Sequence, residues 1–479
     1  MAQRHIVFRG PRAAGTGSGA ALAARFDAIR AEFEVPEEFP EQVLAEAARA
    51  ERAADPPARD ETSVPFVTID PPGARDLDQA MFLERAGEGY RVRYAIADVP
   101  AFVEPGGALD EEARRRGQTI YCPDRRVPLH PPVLSEGAAS LLPGEVRPAF
   151  VWDMVVAGDG NGVDVAVYRA LVRSRQQLEY AAVQRALDDG TASESLMLLK
   201  EIGEKRVALE RERGGASLPM PEQEVTAAED GGFAISFRPL LPVEDWNAQI
   251  SLMTGMAAAE LMIHGQVGVL RTMPEPEPHD VQRLHRMATA LGVPWPAEML
   301  YGEFLRTLDR ANPRHLALIH EAATLFRGAG YTSFEGDLPG GLEHAAVANP
   351  YAHVTAPLRR LVDRFGLVIC EALASGAEVP LWVRQALPHL PGIMAASDAR
   401  AGAVDRACVD AVETAALVGA VGTTLHAVVV DENAAGVVVQ LTDHAVVARA
   451  EGAASPGETV QVRVDAADIA AGGLRLTVV

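Results

Sequence analysis

The chain has few cysteines, few lysines, few aromatic residues and no long apolar run, and these shortages exclude several classes of protein. Its three cysteines, Cys122, Cys370 and Cys408, are odd in number, widely spaced and without a CxxC pair. This pattern excludes a disulfide framework and indicates a reducing cytoplasm. No stretch approaches the roughly 18 consecutive uncharged apolar residues of a membrane span. The N-terminal segment MAQRHIVFRGPRAAGTGSG is basic and lacks the apolar core of a signal peptide.

Positive charge comes almost entirely from arginine, because Lys200 and Lys205 are the only lysines. This bias is typical of a GC-rich genome. The net charge of −22 argues against a protein that coats nucleic acid indiscriminately. The arginines nevertheless cluster, for example in EEARRRG, PDRRVP and PLRRLVDR. An acidic protein can bind a nucleic acid in a basic channel, because binding follows the local field.

The 479 residues, 48% of them hydrophobic and 23% charged, are enough for several globular domains. Helical patterns over 21–35 and 40–54 predict an N-terminal helical module at 1–60. Short strand-like runs dominate 62–180, with a helix at 108–116, and helical patterns dominate 180–410. The tail has five short Val-rich segments separated by turn signals, which predict a small closed barrel of the OB kind. The predicted domains are therefore 1–60, 61–412 and 413–479.

The segment TIDPPGARDLDQA carries three carboxylates, Asp70, Asp76 and Asp78, followed by the amide of Gln79. Apolar, β-prone runs flank it, and Pro71-Pro72-Gly73 forces the backbone to turn between the first Asp and the others. A strand, a tight loop and a second strand would aim the acids into one volume, where a cation must offset their repulsion. Mg²⁺ or Mn²⁺ suits such oxygen ligands and can clamp a phosphate during hydrolysis. An Asp-rich surface turn is the alternative interpretation.

A second arginine-bearing element, PYAHVTAPLRRLVDRFGL, predicts a helix that starts at Pro357, with Thr355 as its N-cap. Arg359 and Arg360 would then lie in the first turn, where the helix dipole disfavours cations. A phosphate bound between them and the helix end would explain this placement. A surface arginine pair bonded to Asp363 or Glu343 would explain it equally well.

Tyr121 lies between arginines in RRRGQTIYCPDRRVPL, where it could stack on a base while Arg125 and Arg126 hold phosphates. A half-buried core tyrosine is the alternative. No zinc-binding spacing, GxSxG motif or GxxxxGKS loop is present, which argues against a zinc site, Ser/His/Asp chemistry and nucleoside triphosphate hydrolysis.

The ordered series of these segments resembles the ribonuclease II/ribonuclease R (RNB) family. The matching segments are TIDPPGARDLDQA, YAIADVPAFVEPGGALDEEARRRGQTIY, PLHPPVLSEGAASLLPGEVRPAF, VRSRQQLEYAAVQ and YAHVTAPLRR, and they span about 62–410. The resemblance implies a mixed α/β (α+β) fold. Its parts would be an RNB catalytic domain with a β-sheet and flanking helices, a C-terminal OB-fold RNA-binding barrel and an N-terminal helical module.

The resemblance also implies a function and roles for particular residues. The expected activity is a Mg²⁺-dependent 3′-to-5′ exoribonuclease, with Mn²⁺ as an alternative ion, that converts single-stranded RNA into 5′-nucleoside monophosphates. Asp78 and Arg359 would be catalytic, with Arg359 at the scissile phosphate. The resemblance assigns Asp70, Asp76 and Asp78 to the metal and Tyr121 to the RNA. The residues themselves add Gln79 as a further metal ligand, and Arg360, Arg125 and Arg126 as further RNA-binding residues.

Three departures from the family pattern affect these expectations. Gln79 stands where the family usually has a fourth Asp, which removes one anionic ligand, although an amide oxygen can still coordinate a hard ion. The helix around WNAQISLM lacks an acidic pair that recognises the ribose, and Asn247 and Gln249 are candidate substitutes. Residues 1–60 are too few for the two cold-shock barrels of many relatives, so a more open RNA channel is expected.

We therefore expect a cytoplasmic, monomeric exoribonuclease that acts on single-stranded RNA and needs neither a membrane nor an obligate protein partner. The alternative is a catalytically impaired RNB-fold protein that only binds RNA, with Gln79 as the lesion. A protein-interaction scaffold without an RNA role is a third hypothesis.

Overall fold

The computed structural model describes residues 6–9, 18–53, 56–218, 222–227, 233–238, 240–309, 312–433, 436–442, 444 and 446–479. Its helices are α1 (Ser18–Glu32), α2 (Glu41–Ala53), α3 (Ala108–Arg116), α4 (Tyr180–Asp188), α5 (Glu194–Glu212), α6 (Pro242–His264), α7 (Pro278–Ala290), α8 (Tyr301–Arg306), α9 (Pro313–Ala322), α10 (Leu361–Ser375), α11 (Leu381–Ala386) and α12 (Leu390–Leu417). The strands before α7 are β1 (Ile6–Arg9), β2 (Phe66–Asp70), β3 (Gln79–Ala86), β4 (Gly89–Ala97), β5 (Ile120–Tyr121), β6 (Arg126–Val127), β7 (Val146–Val156), β8 (Gly162–Glu179), β9 (Glu222–Ala227), β10 (Phe233–Arg238) and β11 (Val267–Thr272). The later strands are β12 (Gly330–Glu335), β13 (Glu343–His344), β14 (Asn349–Pro350), β15 (Thr424–Asn433), β16 (Gly436–Leu441), β17 (Val447–Glu451), β18 (Thr459–Asp468) and β19 (Gly473–Val478).

A closed barrel with the strand order β2-β3-β4-β7-β8 forms the centre of the molecule. The sequence of β4 fits a barrel strand. It alternates buried Tyr90, Val92 and Tyr94 with half-buried arginines, as a strand with one core-facing side does. The barrel side chains pack with those of α5, α6 and α10 in one large apolar cluster. β2 ends and β3 begins at the same end of this barrel, so the polar residues at these two positions are brought together.

The N-terminal helices are integrated with the rest of the chain. Arg30 of α1 is fully buried and forms ion pairs with Glu37 and Asp124 at 2.9 and 2.8 Å. Glu46 of α2 accepts the Ala108 N–H at 2.7 Å, at the first residue of α3, where a carboxylate stabilises a helix end. The prediction of N-terminal helices is confirmed, whereas β1, which pairs in parallel with β9, was not predicted.

The Val-rich tail folds into a second closed barrel with the order β15-β16-β17-β19-β18, which confirms the predicted five-strand barrel. Its core is mainly valine, for example Val429, Val439 and Val462, with a few leucines. The preceding helix, α12, continues to Leu417, and the first barrel strand begins at Thr424. The predicted boundaries at 60 and 412 stay predictions. Across the described ranges, no helix combines the length and apolar character needed to cross a bilayer.

Candidate active site

The acidic loop between β2 and β3 is held by a buried leucine and a serine hydroxyl. Leu77 is fully buried, and its N–H donates to Ser140 Oγ at 2.9 Å. The Ser140 hydroxyl in turn donates to the carbonyl of Arg75 at 2.6 Å. Leu77 is held in the core, so its two neighbours, Asp76 and Asp78, lie at the end of the barrel where β2 ends with Asp70.

Asp78 is buried and Asp70 is half-buried, and the pKa values of both carboxyl groups are raised. Burial raises the pKa of Asp78 to about 8, although Arg359 and the Leu358 N–H oppose the shift. Burial also raises the pKa of Asp70 to about 6, with a further contribution from the negative charge of Asp76. Within the described part of the chain, Asp70 Oδ2 is buried and has no hydrogen-bond partner. Such a carboxyl gains stability from a cation placed beside it.

Asp76 already has a cationic partner. Arg126 Nη1 donates to Asp76 Oδ1, and Arg126 Nη2 lies 2.8 Å from Glu136 Oε1. Among the residues described, no three His, Cys, Asp or Glu side chains, as they stand, form a group that could hold a metal ion. The donor chemistry of Asp70 and Asp78 fits a hard divalent cation, and Asp76 would join them only by leaving Arg126.

Gln79, the first residue of β3, has both ends of its amide engaged by protein groups. Its Nε2 donates to the carbonyl of Thr355 at 2.6 Å, and its Oε1 accepts the Tyr94 hydroxyl at 2.9 Å. Its assignment as a metal ligand stays a prediction.

The segment Thr355–Arg360, named here the arginine turn, corrects the predicted helix start. Helix α10 begins at Leu361, with Arg360 as its extended N-cap residue, so Pro357 is not its first residue and Thr355 is not its N-cap. The prediction failed because the chain at Arg360 pairs with Gln118 instead of coiling. The Thr119 N–H donates to the Arg359 carbonyl at 2.9 Å, which fixes the end of the turn in this extended form.

The arginine turn is docked against the acidic loop. Asp78 Oδ1 accepts the Leu358 N–H at 2.8 Å, and Asp78 Oδ2 lies 3.7 Å from Arg359 Nε. The Arg359 side chain remains 41% exposed, so its guanidinium can reach a ligand. The structure thus brings the two predicted catalytic side chains within 3.7 Å of each other.

Arg360 has a different environment. Its Nε and Nη2 each donate to Asp363 at 2.8 Å, and its side chain is only 14% exposed. Burial lowers the Arg360 pKa, but the carboxylate of Asp363 more than offsets this effect and the pKa is raised. The sequence left open whether the two arginines bind a phosphate or bond to an acidic residue. For Arg360, the bond to Asp363 is the one observed. Its predicted contact with RNA stays a prediction.

Tyr121 is 42% exposed and lines a cavity of about 90 Å³ together with Arg359 and Arg360. The exposed part of Tyr121 therefore lies beside two arginines, and its predicted stacking on a base stays a prediction. Arg125 does not line this cavity, and its guanidinium pairs with Glu37 and Asp124 at 3.2 and 3.1 Å. Of the predicted RNA-binding residues, Tyr121 and Arg360 thus line this cavity, and the contact of Arg125 with RNA stays a prediction.

The two amides proposed on α6 also separate. Asn247 Nδ2 donates to the Tyr180 hydroxyl at 3.1 Å, whereas Gln249 Nε2 donates to Glu210 at 2.7 Å. Residues two apart on a helix point in different directions, so these amides do not form a pair. Sequence reasoning missed Tyr94, which bonds Gln79 directly, because its pattern is that of a core-facing strand residue.

Two family models match this chain. The RNB domain model matches residues 58–372, and the model of the RNase II-type exonuclease C-terminal S1 domain matches residues 423–479. The first match contains the acidic loop and the arginine turn, and the second contains the Val-rich barrel.

Similar proteins and structures agree with these matches. Ribonuclease R of Thermotoga maritima is 27% identical over 355 residues, which cover 70% of this chain and 49% of that protein. The structure of Mycoplasma genitalium RNase R in complex with ribose methylated single-stranded RNA has a TM-score of 0.85 at 18% identity, covering 96% of this chain and 78% of that chain. The structure of yeast Ssd1, a pseudonuclease, has a TM-score of 0.70 at 15% identity, covering 92% of this chain and 57% of that chain. The matched region spans half or less of the first curated relatives, and the structural likeness establishes the fold alone.

Proposed function

Because this chain belongs to the RNB family, we propose that it is a divalent-metal-dependent exoribonuclease acting on single-stranded RNA. It shortens RNA from the 3′ end and releases 5′-nucleoside monophosphates. The observation that carries this proposal is the pairing of buried Asp78 with exposed Arg359 at 3.7 Å. A carboxyl group with a raised pKa beside a guanidinium that can reach a ligand suits the binding of a cation and a phosphate together.

The metal would be Mg²⁺, with Mn²⁺ as the alternative, and Asp70, Asp76 and Asp78 would hold it. When bound, the ion supplies an activated water and neutralises charge on the phosphate. The buried, unpartnered Asp70 Oδ2 supports this assignment. Asp70 and Asp78, with pKa values raised to about 6 and about 8, would have to give up their protons to hold such an ion.

The chain's own cationic and aromatic groups hold the RNA. Arg359 donates hydrogen bonds to the scissile phosphate, where negative charge develops during attack. Tyr121 stacks on the terminal base, and its exposure beside Arg359 supports this role. Arg360 orders the turn through Asp363, and Arg126 contacts RNA when it is released from Asp76. The protein acts as a monomer in the cytoplasm.

A 5′-labelled single-stranded RNA of about 30 nucleotides, incubated with Mg²⁺, Mn²⁺ or EDTA, tests the proposal. We expect a ladder that shortens from the 3′ end and disappears in EDTA. Asp78→Asn should lower the rate by about 10³-fold or more, whereas Asp337→Asn, in an exposed loop, should not. Full metal-dependent hydrolysis by Asp78→Asn would contradict the assignment, and equal degradation of blunt duplexes would contradict single-strand specificity.

A second candidate function is RNA binding without hydrolysis. The engagement of Asp76 by Arg126 and of Gln79 by Thr355 and Tyr94 favours it, and the fold also occurs in a pseudonuclease. This function predicts a shifted band on a native gel and intact RNA with either metal.

A further inference from the structure

The amide of Gln79 connects the start of β3 to the arginine turn with a fixed polarity. The Thr355 carbonyl can only accept a hydrogen bond, so the atom 2.6 Å away must be the amide nitrogen. The amide oxygen therefore faces the Tyr94 hydroxyl, 2.9 Å away, which must donate to it. The orientation of this amide follows from the chemistry of its neighbours.

The hydrogen-bond chain extends beyond Tyr94 into α6. Tyr94 is fully buried, and its hydroxyl lies 2.8 Å from Ser251 Oγ. Since the Tyr94 proton is used for Gln79, Ser251 must be the donor in the contact with Tyr94. All three hydrogen bonds therefore run in the same direction: Ser251 donates to Tyr94, Tyr94 donates to Gln79, and Gln79 donates to the Thr355 carbonyl. Each donor strengthens the next in such a chain.

This chain ends on the segment that carries Arg359. Three side chains fix the arginine turn: Gln79 binds the Thr355 carbonyl, Asp78 accepts the Leu358 N–H, and Asp363 accepts the Ala356 N–H at 2.6 Å. Arg359 itself has an exposed guanidinium and a contact of only 3.7 Å with Asp78. The direction in which the Arg359 side chain extends therefore depends more on the backbone of the arginine turn than on contacts of the side chain itself.

We propose that Gln79 is a positioning residue, which sets the arginine turn through the Ser251–Tyr94–Gln79 chain and so places Arg359 for phosphate binding. This inference rests on the proposed function. Gln79 acts through its N–H donor, and its oxygen is turned toward Tyr94. A glutamate at this position would have the length of Gln79 but no donor for the Thr355 carbonyl, and two acceptors 2.6 Å apart repel, while an aspartate is too short to reach that carbonyl. Restoring an acid at position 79 is therefore harmful.

Enzyme kinetics separate positioning from metal ligation. Gln79→Met keeps the side-chain length and removes both hydrogen bonds, so kcat should fall about 10-fold. The Mg²⁺ concentration for half-maximal rate should change by less than about twofold. Gln79→Glu, which keeps the length and replaces the donor by an acceptor, should lower kcat at least as much, and Gln79→Asp should also lower it. A tenfold increase in the Mg²⁺ requirement of Gln79→Met, or a gain in rate and metal affinity in Gln79→Asp, would overturn the proposal in favour of a ligand role.

Two further comparisons identify the residue through which Gln79 acts. In an Arg359→Ala background, Gln79→Met should cost less than about twofold, because the group that it positions is gone. Tyr94→Phe should reproduce part of the Gln79→Met loss. Tyr90→Phe is its matched control, since Tyr90 is also buried in β4 but bonds Glu201 at the other end of the strand. Additive losses in the double variant, or equal losses in the two Tyr→Phe variants, would overturn the proposal.

Hydrogen exchange gives a readout that does not need RNA hydrolysis. Amide exchange in 355–361 should accelerate at least tenfold in Gln79→Met and Tyr94→Phe and stay unchanged in Tyr90→Phe. Unchanged exchange in Gln79→Met would overturn the positioning role even if the enzyme is active. If the wild-type protein does not cleave RNA, the proposed function fails. Accelerated exchange together with weaker single-stranded RNA binding in EDTA would then still support the positioning of Arg359.

Discussion

Asp70 and Asp78 are carboxyl groups that folding makes harder to ionise. Burial raises the pKa of Asp78 to about 8 and that of Asp70 to about 6, against about 3.9 in an unfolded chain. Between pH 4 and 8 the folded state therefore holds protons that the unfolded state has lost. The stabilisation linked to these protons is fully present below about pH 4 and is lost as pH rises through the folded-state values.

The metal-free protein should consequently lose stability as pH rises. In EDTA, Asp78→Asn should melt about 1–3 °C above the wild type at pH 8.5 and at the same temperature at pH 4.5. Asn keeps an oxygen for the Leu358 N–H, so that hydrogen bond is retained. Thermal melts followed by circular dichroism test this, with Asp337→Asn in an exposed loop as control. A lower melting temperature of Asp78→Asn at pH 8.5 would contradict the assigned ionisation.

Arg359 and Arg360 are adjacent but should respond differently to substitution. Arg360→Ala leaves the fully buried Asp363 without its ion pair, which should cost about 3–5 kcal/mol of unfolding free energy. Arg359→Ala removes an exposed group 3.7 Å from its partner, which should cost about 1 kcal/mol or less. Its kcat should fall about 10²–10³-fold, as when a transition-state donor is lost. Melting temperature and kcat, measured on both variants, test this. Equal destabilisation would contradict the distinction.

At the level of elements, the site depends on how α3, the strand pair β5–β6 and the arginine turn fit together. Gly117 ends α3 with a φ of +73°, and its carbonyl accepts the Leu361 N–H at 2.9 Å. A Cβ at this position would lie 2.5 Å from Ser397 Cβ of α12. The position therefore needs glycine for its conformation and also for space.

Gly117→Ala should lower both stability and kcat, since α12 or the arginine turn must move. Gly87→Ala is the matched control, because Gly87 also has a positive φ, of +61°, but nothing within 4 Å of an added Cβ. Backbone strain alone should cost the control about 1 kcal/mol. Gly117→Ala should lose more stability and, unlike Gly87→Ala, should also lose kcat. Equal melting temperatures for the two variants would contradict the close packing at Ser397.

What the sequence predicts at this scale is the local part of the site. The acids from Asp70 to Asp78 lie within one turn between two strands, so residue patterns were enough to group them. The contacts of Gln79 with Thr355 and of Asp78 with Leu358 join residues 276 and 280 positions apart, and periodicity carries no information on such pairs. The predicted start of α10 was wrong for the same reason, because the pairing of Arg360 with Gln118 is a long-range contact. β9 and β10 were missed inside a region of helical patterns.

At the scale of the molecule, the charge pattern determines how RNA is reached. The protein carries a net charge of −22, so distant charges repel a polyanion while Arg359 and its neighbours attract it locally. Single-stranded binding that neutralises Z phosphates gives a slope of about −0.7Z in log affinity against log salt. A binding site restricted to the cavity lined by Tyr121, Arg359 and Arg360 engages only a few phosphates.

We therefore expect a shallow salt dependence, with a slope of about −2 to −3 for single-stranded RNA in EDTA. Arg359→Ala should reduce the magnitude of the slope by about 0.7, because one phosphate contact is lost. Arg85→Ala should leave the slope unchanged, since Arg85 pairs with Glu201 near the end of β3 remote from Gln79. Fluorescence anisotropy titrations from about 50 to 300 mM salt measure these slopes. A slope steeper than about −6 that both substitutions reduce equally would mean that RNA binds over much of the protein surface. The cavity beside Arg359 could not then be the main binding site.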